Sequence, residues 1–371
     1  LTEIGKNLSI IVLAAGMGKR MKSDRPKVLH EICFKPVLYY ILSAAYKLNP
    51  KNVFIVVGFM ADDVVSYLNK NFSHAIPVYQ EKQLGTADAV VSSGKYRKDF
   101  GENCLVLTGD TPLITEEILM EIVSYKINSG ASMVAVSSIV ENPFGYGRII
   151  RDKSGSLLRI VEEADANEHE KKICEINSSI YCFETSLLFN YLKEIKPDNS
   201  QNEYYLTDIV ERFINKNNSV GVFKLNDSSI AEGFNDMVQL AGIEKQMQSR
   251  INKRHMLSGV RIKDPLSTFI DPEAFILNNT IIEPYCFIRG KTYIGPGCII
   301  GPFTQLKDSK IGNGAIINKS VVIDSIIGAN NNIGPSSYIR PGTITDDNVK
   351  IGPCCEIKAG EQKIKGKNII N

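Results

Sequence analysis

From Val260 onward the chain repeats with a period of six. Aliphatic residues stand in register at Ile282, Ile288, Ile294, Ile300 and Leu306. After a slip of one residue they resume at Ile311, Ile317 and Ile323, then at Ile327, Ile333 and Ile339, and again at Ile351 and Ile357. Glycine follows directly at Gly295, Gly301, Gly312, Gly328, Gly334 and Gly352. A repeat this short cannot bury its apolar face alone, so neighbouring repeats must stack into one continuous core. The pattern predicts a parallel β-helix with each aliphatic residue pointing inward. The rhythm is lost over residues 360–371.

The first 235 residues follow a different grammar. Apolar strand-like runs at 8–12, 53–57, 76–79, 104–107 and 132–139 alternate with helical spacing at 37–48, 61–68, 85–95 and 115–125. That alternation predicts an α/β domain over 1–235: a Rossmann-like, mainly parallel sheet with helices on both faces. Ligands of such sheets gather at the carboxyl ends of the strands. Residues 236–258, with apolar positions at 237, 240, 243, 247 and 251, read as an amphipathic connecting helix. The β-helix domain then occupies 259–371.

After the first strand comes Leu13-Ala14-Ala15-Gly16-Met17-Gly18-Lys19-Arg20-Met21, followed by Arg25-Pro26-Lys27. The small residues let backbone approach a ligand, and Gly18 tolerates the positive φ of a tight turn. Exposed N–H groups in such a turn form an anion cradle, to which Lys19, Arg20 and Lys27 add charge. This combination points to a polyphosphate that is attacked rather than merely held. The dinucleotide fingerprint fails, because Met21 stands where its third glycine belongs and no acidic residue closes a second strand. The Walker pattern fails as well, lacking Gly-Lys-Ser/Thr. What remains beside the phosphate reading is a plain strand-to-helix turn with surface cations. The turn Thr108-Gly109-Asp110 follows a later strand at the same sheet edge.

Composition sets outer bounds. A length of 371 residues suits two or three domains. A net charge of +2 gives no electrostatic argument for nucleic acid or an anionic membrane. No apolar run approaches the ~20 residues that span a bilayer, and no signal-peptide core is visible at the start. The eight cysteines include no C-x-x-C, and Cys33, Cys104 and Cys182 sit in apolar surroundings; reduced, mostly buried thiols of a cytoplasmic protein are expected. The four histidines, His30, His74, His169 and His255, have no paired metal-ligand spacing.

The pattern G-x-G-x-R-M…P-K resembles the sugar-phosphate nucleotidyltransferases. Further segments tighten the match: Gln80 with Gln83-Leu84-Gly85-Thr86, Leu107-Thr108-Gly109-Asp110-Thr111-Pro112-Leu113 and Gly145-Tyr146-Gly147-Arg148-Ile149. They continue with Ile160-Val161-Glu162-Glu163, Glu175-Ile176-Asn177-Ser178-Ser179, Glu203-Tyr204-Tyr205-Leu206-Thr207-Asp208, Glu232-Gly233-Phe234-Asn235, and His255-Met256-Leu257-Ser258-Gly259-Val260 with Asp264-Pro265. Together they resemble the bacterial bifunctional family of N-acetylglucosamine-1-phosphate uridylyltransferases with a second, glucosamine-1-phosphate acetyltransferase domain.

The resemblance implies a left-handed β-helix, three hexapeptides per coil and roughly six coils, that assembles as a homotrimer. It implies UTP and N-acetylglucosamine-1-phosphate as substrates. Arg20 would grip the leaving pyrophosphate, and Lys27 with Mg²⁺ would stabilise the α-phosphoryl group. Asp110 and Asn235 would hold the Mg²⁺, since a hard ion that keeps phosphate and water ligands needs only one or two oxygens from protein. In isolation those two residues read better as a turn aspartate and a helix-cap asparagine, and only the matched segments around them favour the metal. Leu13, Ala14, Ala15, Gly16, Gln80, Gly85, Thr86, Thr108 and Gly109 would line the nucleotide, Gln80 offering donor and acceptor to the base. Gly147, Glu162 and Asn177 would form the sugar pocket, although Glu162-Glu163 alone reads as a solvated pair.

The sequence departs from the family in its second activity. Arg340, Glu356 and Lys358 match positions lining the acetyltransferase's sugar-phosphate site. Spacing, however, puts Ile370 where the family's catalytic histidine stands, and no histidine follows His255. With no imidazole to deprotonate an amine, acetyl transfer is expected to be absent, leaving the β-helix as a trimerisation platform. Two other functions fit the same chain: transfer to another sugar 1-phosphate, as in UDP-glucose or GDP-sugar synthesis, and a nonenzymatic nucleotide-sugar sensor or scaffold.

Overall fold

The computed structural model describes residues 5–357 and the backbone of a further short strand, Asn368–Ile369. Lys358 and Ile370, both singled out above, lie outside the described residues. The chain divides into two compact units, Leu1–His30 with Pro36–Gln239, and Glu31–Lys35 with Leu240–Asn371. The division at Gln239 falls inside the connecting helix, and a five-residue excursion belongs to the second unit.

The strands before residue 225 are β1 (Leu8–Leu13), β2 (Glu31–Ile32), β3 (Lys35–Pro36), β4 (Asn52–Val57), β5 (Ile76–Tyr79), β6 (Asn103–Thr108), β7 (Met133–Ile139), β8 (Arg148–Arg151), β9 (Leu157–Val161), β10 (Glu175–Glu184) and β11 (Val220–Lys224). The helices are α1 (Val37–Lys47), α2 (Ala61–Asn71), α3 (Thr86–Ser92), α4 (Glu116–Ser129), α5 (Thr185–Tyr191), α6 (Ile209–Asn215) and α7 (Met237–Leu257). In the first unit the sheet runs β11-β7-β10-β6-β1-β4-β5, with β8 and β9 attached beside β10. Strands β6, β1, β4 and β5 are mutually parallel, as the helix–strand alternation predicts. Central β1 reads as a continuous apolar run because both its faces are covered: Ile10, Ile11 and Val12 are fully buried. Its one polar residue, Ser9, is buried too, and its hydroxyl accepts from the amide of Gly101 at 2.9 Å.

Strand β10 makes the sheet mixed. It lies antiparallel to both β6 and β7, with a register shift between Asn177 and Tyr181. Helix α3 is shorter than its pattern, giving way after Ser92 to a 3₁₀ stretch, Ser93–Asp99.

The second unit is a left-handed β-helix preceded by most of α7. One sheet stacks Ile262, Ile282, Ile300, Ile317, Ile333 and Ile351. A second stacks Ile270, Ile288, Leu306, Val322, Ile339 and Ile357. A third stacks Ile276, Ile294, Ile311 and Ile327. The buried member after Ile317 is therefore Val322, not the expected Ile323: Val322 is 0% exposed and pairs with Leu306, while Ile323 is half-buried. Steps of five rather than six residues separate Ile317 from Val322 and Val322 from Ile327, so two successive corners are each one residue short.

In the third sheet the next core position is polar. Thr345, 5% exposed, accepts from the Gly328 amide at 2.9 Å and from the side-chain amide of buried Asn331. Within the same unit, α7 places Gln248 and Asn252 against the carbonyls of Pro265 and Thr268. The excursion 31–35 is fastened by Cys33 N–H to Glu244 at 3.0 Å, Lys35 to Asp271 at 3.6 Å and to Glu273, and Phe34 under the Arg289 guanidinium. Cys33, Cys104, Cys182, Cys286, Cys298 and Cys355 are buried, in line with thiols used as small apolar residues.

Candidate active site

A cleft of about 570 Å³ opens at the carboxyl ends of β1 and β6. Its floor is the loop after β1. The Ala14 amide donates to Val56 at 2.8 Å, fastening the loop to β4, and the loop closes with Gly18 left-handed (φ 57°) accepting from Met21 at 2.8 Å. Between those anchors, the N–H groups of Ala15, Gly16, Met17 and Gly18 have no acceptor among the described residues. A Cβ on Gly16 would meet nothing within 4 Å, so the packing of the chain does not demand glycine there. A group lying against the backbone would demand it.

Charge arrives from three separate segments. Lys27, in the 3₁₀ turn Lys27–Leu29, points its ammonium at Asp110 and at Asn235 Oδ1, 3.2 Å away, and stands 5.1 Å from the centre of the Phe234 ring. Its side chain is 12% exposed and that of Asp110 is 28% exposed. Asn235 is oriented by its own amide, which donates to Gln239 at 2.7 Å. Gly109, just before Asp110, donates to Leu13 at 2.8 Å, which brings the turn after β6 against the loop after β1. Thr108 adds its hydroxyl, 3.1 Å from that of Thr111. Lys19 and Arg20 are exposed on the cleft rim.

The Asp110–Asn235 oxygen pair already receives a cation, the Lys27 ammonium, so its chemistry suits a small hard ion. No group of three or more His, Cys, Asp or Glu that would cage a metal occurs among the described residues. A pair of protein oxygens that leaves most positions to phosphate and water fits Mg²⁺.

The opposite wall carries Gln80, Gly85 and Thr86. Gly85 has φ +125°, and a Cβ there would lie 2.5 Å from the Tyr204 carbonyl; only glycine fits. The contact is mutual, since Ala87 N–H donates to Tyr204 O and Tyr204 N–H to Leu84 O, each at 2.8 Å. Thr86 accepts from Leu206 N–H at 2.9 Å, leaving its own O–H to donate elsewhere. Gln80, 5% exposed, turns its amide nitrogen onto Asp88 (2.8 Å) and the Gly85 carbonyl (3.2 Å). The sequence reading gave Gln80 both a donor and an acceptor for the base; the structure commits the nitrogen inward. Gln83, Gln201 and Glu203 also line the cleft and were not named in advance as site residues. Gln83 and Glu203 fell in the matched segments at 83–86 and 203–208, where no chemistry distinguished them, and Gln201 lay outside every matched segment.

Gly147, Glu162 and Asn177 come together as a second group in the same unit, outside the lining of that cleft. A Cβ on Gly147 would sit 3.3 Å from Glu162 Oε2 and 3.5 Å from Asn177 Cβ. Glu162 accepts from Thr207 at 3.0 Å, and burial pushes its carboxyl above the usual range. Asn177 is 2% exposed; its amide donates to the Tyr181 hydroxyl at 2.6 Å and accepts from Ser179 N–H at 3.2 Å. Glu163 is no solvated partner either. It accepts from Gly145 N–H (3.1 Å) and from the fully buried Arg148 (2.6 Å), which also donates to the Tyr146 carbonyl.

Backbone amides without a protein acceptor, beside charged side chains brought from distant segments to the strand ends, fit the class that the family comparison gives, the nucleotidyl transferases. The family model described as Nucleotidyl transferase matches residues 9–240, and one described as the GMPPB C-terminal domain matches residues 270–364. Full-length relatives narrow the class. The chain is 46% identical over 339 residues to "Bifunctional protein GlmU" of Thermoanaerobacter pseudethanolicus, covering 91% of this chain and 73% of that protein. It is 44% identical over 352 residues to the protein of that name from Pelotomaculum thermopropionicum, covering 95% and 76%. For Lactobacillus helveticus the identity is 43% over 352 residues, with the same coverage of 95% and 76%. The chain belongs to the GlmU family.

Proposed function

We propose that the chain transfers a uridylyl group from UTP to N-acetylglucosamine-1-phosphate, releasing pyrophosphate. The observation that carries this reading is the row of four unpartnered amides, 15–18, beside Lys27, Asp110 and Asn235. A sugar 1-phosphate oxygen is already anionic, so no general base is required. It attacks the α-phosphorus, the bond from that phosphorus to the bridging oxygen of the β-phosphate breaks, and pyrophosphate leaves with the electron pair. The protein's part is positioning and charge neutralisation. The 15–18 amides hold phosphate oxygens, Lys27 neutralises the α-phosphoryl group, and Arg20, on the rim, grips the leaving pyrophosphate. Asp110 and Asn235 hold Mg²⁺, which when bound neutralises phosphate charge that the lysines alone leave uncompensated. Gln80, Gly85 and Thr86 hold the nucleoside end, and Gly147, Glu162 and Asn177 the acetamido sugar.

Acetyl transfer is outside this proposal. Among the residues matched to that second site, Arg340 and Glu356 are spent on each other in a surface ion pair. His255, the last imidazole in the sequence, is 5% exposed. Purified protein, Mg²⁺ and UTP should release pyrophosphate fast with N-acetylglucosamine-1-phosphate and slowly with glucose-1-phosphate or glucosamine-1-phosphate. Equal rates with glucose-1-phosphate would reassign the sugar. Activity with glucosamine-1-phosphate only when acetyl-CoA is added would restore the second activity, and silence with every sugar would favour a sensor or scaffold.

A further inference from the structure

Gln80 is the buried amide of the cleft wall, and the identity of the atom it shows to a ligand is fixed by its neighbours. Its Nε2 lies 2.8 Å from Asp88 Oδ2 and 3.2 Å from the carbonyl oxygen of Gly85. A carboxylate and a carbonyl are acceptors only, so the nitrogen and not the oxygen must face them. Reversing the amide would set its oxygen against two acceptors at once. Oε1 has no donor among the described residues, and it is not among the side-chain atoms sealed from solvent without a partner. The one polar atom that Gln80 presents to the cleft is therefore an acceptor.

We propose that Asp88 is a specificity-determining positioning residue: by holding the Gln80 amide in one orientation, it makes the pocket select a base with a ring N–H donor and reject cytosine. Uracil carries N–H at N3, flanked by two carbonyls; cytosine carries a lone pair at the same place. Against a fixed acceptor the first makes a hydrogen bond and the second leaves two acceptors facing each other at a side chain only 5% exposed, where an unmade bond is expensive. Asp88 itself stands in the first turn of α3, one turn from Gly85, so the helix start sets its position. It acts through Gln80, not on the ligand.

The inference rests on the cleft being the nucleotide site, and its test separates the two. The enzyme is assayed for pyrophosphate release with UTP and with CTP as competing donors, and kcat/KM is compared. In the unaltered chain the ratio should exceed about 100-fold in favour of UTP. Asp88→Asn keeps shape and volume but can offer either a donor or an acceptor, freeing the Gln80 amide to turn. The ratio should fall at least about 10-fold, mostly through a gain in kcat/KM for CTP. In a Gln80→Ala background, Asp88→Asn should change the ratio less than about 2-fold, because the group it orients is gone. An unchanged ratio in Asp88→Asn, where Gln80→Ala does alter it, overturns the orienting role. An unchanged ratio in Gln80→Ala as well overturns the reading of the base by Gln80. An unaltered chain inactive with either nucleotide would instead sink the function on which the inference rests.

Discussion

Single residues carry the chemistry through their partners. Lys27 binds both members of the proposed metal pair, so its removal takes away a cation poised where charge develops. Lys27→Ala should lower kcat about 100-fold, within the range for loss of one preorganised charge, while the unfolding midpoint moves little. A near-normal kcat would remove Lys27 from the mechanism. His255, at the end of α7, is a different case. Burial first, and the Arg254 guanidinium second, lower its pKa from 6.5 to about 4. A depressed folded-state value means the unfolded chain takes up the proton first as the pH falls. The stability this neutral histidine leaves intact above pH 6.5 is then lost between 6.5 and about 4. Unfolding free energy should drop by about 2 kcal/mol between pH 7 and pH 5, and His255→Gln should flatten that slope; an unchanged slope would show that the imidazole is not the titrating group. Lys27, Asp110 and the glycine loop were picked out in the sequence by the pattern around them, since each alone reads as an ordinary turn residue or surface cation. The inward turn of Gln80 was not legible: an amide reads as donor and acceptor alike until Asp88 and the Gly85 carbonyl are seen beside it.

At the scale of elements, periodicity told most where one face is buried and least where both are. The six-residue rhythm located nearly every inward residue of the β-helix, yet at 321–323 three adjacent aliphatics made two registers equally good. The two shortened corners that flank it selected Val322. Strand β10 escaped the helix–strand alternation altogether, because it enters antiparallel between two strands already in place and carries polar Asn177, Ser178 and Ser179 across its bulge. The rhythm also misleads at Thr345. A valine there would restore the aliphatic repeat, but it would strip the acceptor from the Gly328 amide and from the Asn331 side chain. Thr345→Val should therefore destabilise the β-helix by about 1–3 kcal/mol, read as a lower urea midpoint. A gain in stability would mean that the extra apolar contact outweighs the two orphaned donors.

For the molecule as a whole, the β-helix shows more aromatic surface than a lone prism needs. Tyr285 and Phe303 are stacked with centroids 4.9 Å apart yet are 50% and 55% exposed, and Phe275, 58% exposed, stacks on Tyr293. Exposed rings of this kind suit association of identical chains, and the expected particle is a homotrimer. Light scattering at micromolar concentration should return three times the 41.1 kDa of the chain, and a single-chain mass would sink the trimer. No helix among the described residues is long and apolar enough to cross a membrane. The two-part architecture was plain in the sequence, since a period of six and an alternation of strands and helices cannot be confused. The ownership of residues 31–35 was not, because nothing in Glu31-Ile32-Cys33-Phe34-Lys35 announces which body will bury it.

That five-residue excursion makes the gene harder to shuffle than its two-part grammar implies. A recombination event that joined a foreign N-terminal half at position 239 would deliver a β-helix lacking a piece of its own surface, with Glu244, Asp271 and Glu273 left facing whatever the new sequence supplied at 33–35. An intact exchange of halves would therefore have to match two stretches far apart in sequence, 33–35 on one side and Glu244, Asp271 and Glu273 on the other.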